Sequence, residues 1–168
     1  MAKSGTTGKK VLVTGATGYI GGRLVPRLLE AGYRVRVFVR NPLKLTDVPW
    51  ASEVEIATGD LSDPKAVAEA VQGIDVLYYL VHSMGAKGEF ERTELAGATT
   101  VAMAAKPAGV SRIVYLGGLH PDGELSPHLR SRAEVGRILL NSGVPTAALQ
   151  AGVVIGSGST SFEMVRHL

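Results

Sequence analysis

The sequence predicts a single α/β domain: a doubly wound parallel sheet of about six strands, in the order 3-2-1-4-5-6. Two observations carry this expectation. The apolar, β-branched run Val11-Leu12-Val13 leads directly into a glycine-punctuated turn and then a helical pattern. The same alternation of strand and helix then recurs along the chain, as it does where crossover helices join parallel strands. At 168 residues, 45% of them hydrophobic and 20% charged, the chain is long enough for one domain with a substantial core.

The first strand ends in Thr14-Gly15-Ala16-Thr17-Gly18-Tyr19-Ile20-Gly21-Gly22. In this arrangement Gly15 allows the tight turn off the strand and Gly18 lets a pyrophosphate approach the backbone. Gly21 lets the new helix pack closely on the strand. The helix N-terminus adds free N–H groups and a partial positive charge, so the loop reads as a dinucleotide site.

The first helix is expected over residues 19–31, ended by Gly32. Pro26 lies inside it, and its ring strikes the carbonyl of Gly22 four residues back, so a local bend is expected. Arg34–Val39 alternates charged and apolar residues and reads as the second strand, with Asn41-Pro42 turning the chain away. A short third strand at 54–57 precedes Gly59-Asp60-Leu61-Ser62-Asp63-Pro64, where Ser62 or Asp63 caps a helix over 64–71. Residues 76–81 are nearly all apolar, as in a central strand buried on both faces. Helices over 89–105 and 129–141 and strands over 112–116 and 146–155 complete the alternation. Residues 161–168 look like the opening of a further helix.

The glycine spacing, Gly-x-x-Gly-x-x-Gly, differs from the more familiar Gly-x-Gly-x-x-Gly fingerprint. With it the chain resembles the short-chain dehydrogenase/reductase superfamily. The resemblance is greatest to the extended and atypical branches, which carry Thr-Gly-Ala-Thr-Gly-Tyr-Ile-Gly near the N-terminus. Those branches include sugar-nucleotide epimerases, flavin-reductase-like proteins, cofactor-sensing regulators and an accessory subunit of respiratory complex I. The resemblance spans residues 10–168, and the later segments are most similar to actinobacterial NAD(P)-binding, epimerase-like proteins. It implies a Rossmann-type domain over 10–168; the polar, basic residues 1–9 ahead of it read as a flexible leader. It also implies substrate-binding segments past residue 168, so the chain reads as a cofactor domain shortened at its C-terminus. Exposed final elements of such a domain can bury themselves against a second copy, as a homodimer.

Composition excludes several classes. The net charge of +3 is too small to argue for nucleic acid, and no basic-aromatic interleaving supports it. The absence of cysteine removes disulfide and thiolate chemistry and fits a reducing, cytoplasmic setting. No apolar run approaches the roughly 20 residues of a membrane-spanning helix, and residues 1–10 lack the apolar centre of a secretory signal. His82, His120, His128 and His167 show no metal-ligand spacing, so no metal is expected. Neither a Gly-x-Ser-x-Gly elbow nor the Gly-Lys-[Ser/Thr] of a P-loop is present.

The candidate cofactor-binding residues fall at strand ends. Gly15, Thr17, Gly18, Tyr19, Ile20 and Gly21 form the glycine loop. Arg40 and Asn41 follow the second strand, where an NAD-specific site carries an acidic residue for the ribose 2′-hydroxyl. A guanidinium there grips a 2′-phosphate through parallel hydrogen bonds, which favours NADP(H) over NAD(H). Arg36, if it points outward, and Lys44 can add to it; the competing reading is a solvated strand edge. After the third strand come Asp60 and Leu61. The resemblance implies that Asp60 approaches the adenine, while an Asx turn is the simpler alternative. Val81 and His82 end the fourth strand at the carboxyl edge where α/β sheets bind ligands. For His82 the backbone is the expected contact.

Catalysis is less well provided for. The superfamily's catalytic set is Ser with Tyr-x-x-x-Lys, in which the lysine lowers the tyrosine pKa. Here Gly117-Gly118-Leu119 stands where the serine is expected, and His128 and Arg132 take the tyrosine and lysine positions. A histidine can act as a general acid, whereas an arginine cannot give up its proton. Gln150-Ala151 stands where many relatives carry Arg-Pro. Tyr78, Tyr79 and Tyr115 lie on expected strands and read as core. Three functional readings stay open: an oxidoreductase- or epimerase-like enzyme, a non-catalytic cofactor-sensing or assembly protein, and a flavin or quinone reductase. Each has the dinucleotide as ligand, with an unknown small molecule or protein as partner.

Overall fold

The computed structural model describes residues 8–81, 89–119, 124–152, 154–159, 162–163 and 166. Strands β1 (Lys10–Thr14), β2 (Arg34–Val39), β3 (Glu55–Thr58), β4 (Val76–Tyr79), β5 (Arg112–Gly118) and β6 (Thr146–Ala151) alternate with helices. The helices are α1 (Tyr19–Glu30), α2 (Pro64–Ala70), α3 (Glu89–Ala105) and α4 (Pro127–Leu140). All neighbouring strands are parallel, in the order β3-β2-β1-β4-β5-β6. The six-stranded Rossmann topology expected from the sequence is therefore the one observed.

Period-two alternation distributes the core between two layers. Val11, Val13, Val35, Val37 and Val39 point to the layer that holds Val25 and Leu28 of α1 and also Leu45 and Trp50. Leu12, Phe38, Leu77, Tyr79, Ile113 and Tyr115 point to the other, against Val67 of α2, Ala98 and Val101 of α3, and Val135 and Leu139 of α4. The fourth strand departs from expectation. Leu77 and Tyr79 are buried, but Val76 and Tyr78 are only half-buried. They lie on the α1 side, and α1 packs on β1 and β2, so they sit at the margin of its cover. On β6 the exposure goes further, with Leu149 at 54%.

Pro26 leaves α1 continuous over Tyr19–Glu30. The carbonyl of Gly22, which has no N–H to accept from at position 26, accepts instead from Trp50 Nε1 at 3.2 Å. Asp63, not Ser62, caps α2, its Oδ1 accepting from the N–H groups of Lys65 and Ala66. The fourth strand stops at Tyr79 and the sixth at Ala151, short of the expected ends, and α4 begins two residues early on Pro127 behind the cap Ser126. The expected leader falls mostly, and the expected helix at 161–168 largely, on residues outside those described.

Candidate functional site

The site lies at the carboxyl ends of the strands, where β1 pairs with β2 on one side and β4 on the other. This is the switch point at which successive connections leave the sheet in opposite directions and open a crevice. Thr14 ties the crevice floor together: its Oγ1 donates to Tyr78 O at 3.2 Å and accepts from Leu80 N at 3.3 Å.

The three glycines have distinct geometric roles. Gly15 has φ +75°, and a Cβ there would lie 3.0 Å from the backbone of Leu80. At Gly21 a Cβ would lie 2.2 Å from the Gly15 carbonyl oxygen, so only glycine lets α1 sit this close to the turn. Gly18 is different. It is extended, with φ −84° and ψ 171°, and a Cβ would meet only the Gly15 oxygen, at 3.2 Å. Its open side faces the cavity. As N-cap of α1, Gly18 offers no side-chain acceptor, and the first turn carries no acidic residue. The first N–H groups of a twelve-residue helix are thus left to a ligand, and their dipole favours an anionic one.

A cavity of about 450 Å³ runs across this loop. Gly15, Thr17, Gly18, Tyr19, Ile20 and Gly21 all line it, as do Arg40, Asp60, Leu61 and Val81. The structure thus brings together ten of the twelve expected cofactor residues. Asn41 is not among the lining residues. Its Oδ1 accepts from Leu43 N at 3.0 Å and caps the 3₁₀ turn Pro42–Leu45. His82 lies outside the described residues.

Arg36 corrects one expectation. It is 8% exposed and turned into the fold, donating to Glu55 Oε1 and to the carbonyls of Ala70 and Gln72. It therefore ties β2 to β3 and to the C-terminal end of α2, where a cation is favourable. Arg40, by contrast, is exposed at the cavity rim. Lys44, on the 3₁₀ turn, is exposed and does not line the cavity.

Asp60 makes the Asx turn that was the simpler alternative, its Oδ1 accepting from Ser62 N at 2.9 Å and Ser62 Oγ at 2.7 Å. Those bonds hold its carboxyl below the usual aspartate range, with a further contribution from the charge of Arg40. A carboxyl lowered on folding stabilises the fold above its unfolded pKa, near 3.9, and that contribution is lost as pH falls through the lower folded value. In urea unfolding, Asp60→Asn is therefore expected to be less stable than wild type at pH 7, with the gap narrowing at about pH 3. A gap independent of pH would show that the carboxylate is not held in this way.

The two catalytic candidates separate. Arg132 lines the cavity, whereas His128 is exposed on the first turn of α4 and does not. Arg132 Nη2 lies 3.4 Å from Leu116 O, and its Nε is a buried donor with no partner. The Tyr115 hydroxyl donates to Arg132 O at 2.8 Å and pins the helix to β5. Tyr79, expected as core, is buried and also lines the cavity; burial pushes its phenol well above the ordinary tyrosine value.

Glu94 lines the same end of the cavity and was missed by the sequence reading, although a signal existed. It falls on the helical face of Ala98, Val101 and Ala105, all buried, so the 3.6-residue period marks it as inward-facing.

An open loop at an uncapped helix, a long cavity across the switch point and an unpaired buried donor at its far end fit a dinucleotide. A family model described as NAD(P)H-binding matches residues 15–154. The chain belongs to this NAD(P)H-binding family. Ceramide reductase of Caulobacter vibrioides is 32% identical over 155 residues, which is 89% of this chain and 48% of that protein. Sterol demethylase protein B of Methylococcus capsulatus is 32% identical over 126 residues, 70% of this chain and 38% of its own.

Among solved structures, the NADPH-dependent quinone oxidoreductase of Escherichia coli in complex with NADPH superposes with a TM-score of 0.69 at 27% identity. The match covers 83% of this chain and 48% of that one. The triphenylmethane reductase of Citrobacter sp. with NADP(H), at 23% identity and a TM-score of 0.70, shares the fold over 84% of this chain and 48% of its own. This chain spans about half or less of the length of these relatives. No described helix is long and apolar enough to cross a membrane.

Proposed function

We propose that this chain is the cofactor domain of a reductase that uses NADP(H) in preference to NAD(H). The observation that carries the preference is Arg40. It stands exposed at the cavity rim after β2, with no carboxylate at that strand end to repel a 2′-phosphate. Asp60, the nearby acid, is already engaged by Ser62. The glycine loop and the uncapped start of α1 would hold the pyrophosphate, and Arg132 would face the nicotinamide half. When bound, the nicotinamide supplies the hydride, while the protein binds, orients and excludes water. The names of the relatives, ceramide reductase and quinone oxidoreductase, support reduction over epimerisation. The cysteine-free chain fits a reducing compartment, and we assign the protein to the cytoplasm with a small-molecule substrate.

Arg40→Glu tests the preference. Its expected result is a reversal: NADPH affinity falls by roughly 100-fold, or about 2.7 kcal/mol, as a guanidinium–phosphate pair becomes a like-charge contact, while NADH affinity holds or rises. An unchanged ratio of the two dissociation constants removes Arg40 as the selector.

A second reading, a cofactor-sensing protein without turnover, is favoured by one observation. Gly117 and Gly118 occupy the expected serine position, and His128 is not among the cavity residues. Cofactor binding without NADPH consumption against quinone or carbonyl acceptors is its expected signature.

A further inference from the structure

The chain beyond β6 returns across the sheet to the start of α1. β6 is an edge strand three places from β1, with β5 and β4 between them. At about 4.8 Å per strand the gap is about 14 Å. It is closed from both sides. Gly156 lies against the Tyr19 hydroxyl, so closely that a Cβ there would overlap it, and Tyr19 begins α1 just past β1. Val154 and Ser159 line the cavity on this side, as Tyr19 does from the glycine loop.

Residues 154–159 keep their own shape. Gly158, with φ +82°, is the third residue of a turn closed by Ser159 N–H donating to Gly156 O at 2.9 Å. The Ser159 hydroxyl is buried; it donates to Val154 O at 2.7 Å and accepts from Phe162 N at 3.1 Å. Among the described residues, the one hydrogen bond from this segment to the body of the domain comes from α1, where Arg23 Nη2 donates to Ser157 O at 3.0 Å. Arg23 Nη1 donates to Tyr19 O at 3.3 Å, and the guanidinium lies 3.7 Å from the centre of the Tyr19 ring. No described carboxylate pairs with Arg23, so its hydrogen bonds all serve this contact. The fastening is one that can open. Arg23 and Ser157 are exposed, so water competes for their bond, and Gly152 and Gly158 leave the backbone free to turn at either end.

The segment covers the β5 and β6 side of the crevice, away from Arg40 and Asp60 at the ends of β2 and β3. We infer that residues 154–159 are a strap that closes over the nicotinamide half of a bound dinucleotide, and that Arg23 is the positioning residue that fastens it, through the Tyr19 ring and the Ser157 carbonyl. The inference rests on the cofactor reading above and extends it from which dinucleotide is chosen to how long it stays. The adenosine half is held at the ends of β2 and β3 whether or not the strap is fastened. The nicotinamide half leaves when the strap lifts, so release waits on breaking the Arg23 contacts.

The test compares wild type with Arg23→Gln and Gly156→Ala. Arg23→Gln removes the charge over the Tyr19 ring and shortens the reach to Ser157. Gly156→Ala keeps every charge and hydrogen-bonding group. Its new Cβ overlaps the Tyr19 hydroxyl, so either the ring swings away or the strap lifts, and both undo the contact. Calorimetry gives the affinities of NADPH and of 2′,5′-ADP, which carries the adenosine half alone. Stopped-flow fluorescence gives the rate at which bound NADPH leaves when displaced by excess NADP⁺. Both variants are expected to bind 2′,5′-ADP within about 3-fold of wild type and to release NADPH at least about 10-fold faster. A role in stability alone would not divide the two ligands in this way.

Unchanged NADPH release in both variants overturns the inference. So does an effect confined to one of them, which would reduce it to the charge of Arg23 or to crowding at Gly156. Parallel losses of 2′,5′-ADP and NADPH binding in a folded variant overturn it too, because the adenosine half would then depend on the same contact. A wild type that binds the two ligands equally tightly also overturns it, leaving the adenosine half of the site intact. Failure of wild type to bind either ligand instead overturns the cofactor reading itself.

Discussion

Gly21→Ala is expected to destabilise the fold by about 3 kcal/mol, the upper part of the usual range for overpacking. For a domain of this size that is a fall of roughly 10 °C in Tm. The added Cβ would sit 2.2 Å from the Gly15 carbonyl oxygen and 2.7 Å from Ala16 Cα, and both are backbone atoms that cannot rotate away. The neighbouring Gly22 supplies the control. A Cβ there meets only the Ala16 oxygen at 3.6 Å, an ordinary contact. Gly22→Ala should therefore stabilise, by roughly 0.5–1 kcal/mol, because alanine is the better helix former. Thermal and urea unfolding of the two variants check the pair. Equal effects from both would show that α1 does not pack on the turn as described.

Gly18→Asp is expected to separate folding from binding. Gly18 is the N-cap of α1 in an extended conformation that any residue adopts, and aspartate is among the best N-cap residues. The variant should still fold, the new cap offsetting the few tenths of an ångström by which the Gly15 carbonyl must yield to a Cβ 3.2 Å away. Its carboxylate, however, takes the N–H groups that the pyrophosphate needs and adds negative charge to the open side of the loop. Dinucleotide affinity should fall by at least about 100-fold, or roughly 2.7 kcal/mol. Native unfolding behaviour with unchanged affinity would remove the glycine loop as the binding site.

Much of the fold is legible in the sequence because its signals are local. Val11-Leu12-Val13 followed by the glycine turn identifies β1 and α1, and the recurring alternation yields a sheet order that the structure reproduces. The parts that were not legible depend on tertiary neighbours. Arg36 alternates with valines on β2 like a solvent-facing residue, yet Glu55 on the adjacent strand and two carbonyls near the end of α2 draw it inward. Trp50 carries no visible link to Pro26, 24 positions away, until its indole supplies the donor that the proline removed from Gly22. Asn41 reads equally as a ribose contact or a cap, and only the turn it closes at Pro42–Leu45 decides its hydrogen bond.

The site divides in the same way. Its glycine-loop half follows from spacing, and six consecutive-segment residues from Gly15 to Gly21 line the cavity as expected. The far half is assembled from α3, α4 and the end of β5, which meet only in the folded chain. Arg132 was found through the resemblance, while Glu94 required attention to which face of α3 is buried. His128, four residues before Arg132, starts α4 too far toward solvent to share its position in the cavity.

The most direct test of the central claim is a calorimetric titration of the 168-residue chain with NADPH and with NADH, side by side. The account predicts one site per chain, with NADPH bound more tightly than NADH. Absence of heat from either cofactor, in a sample with native unfolding behaviour, would contradict it.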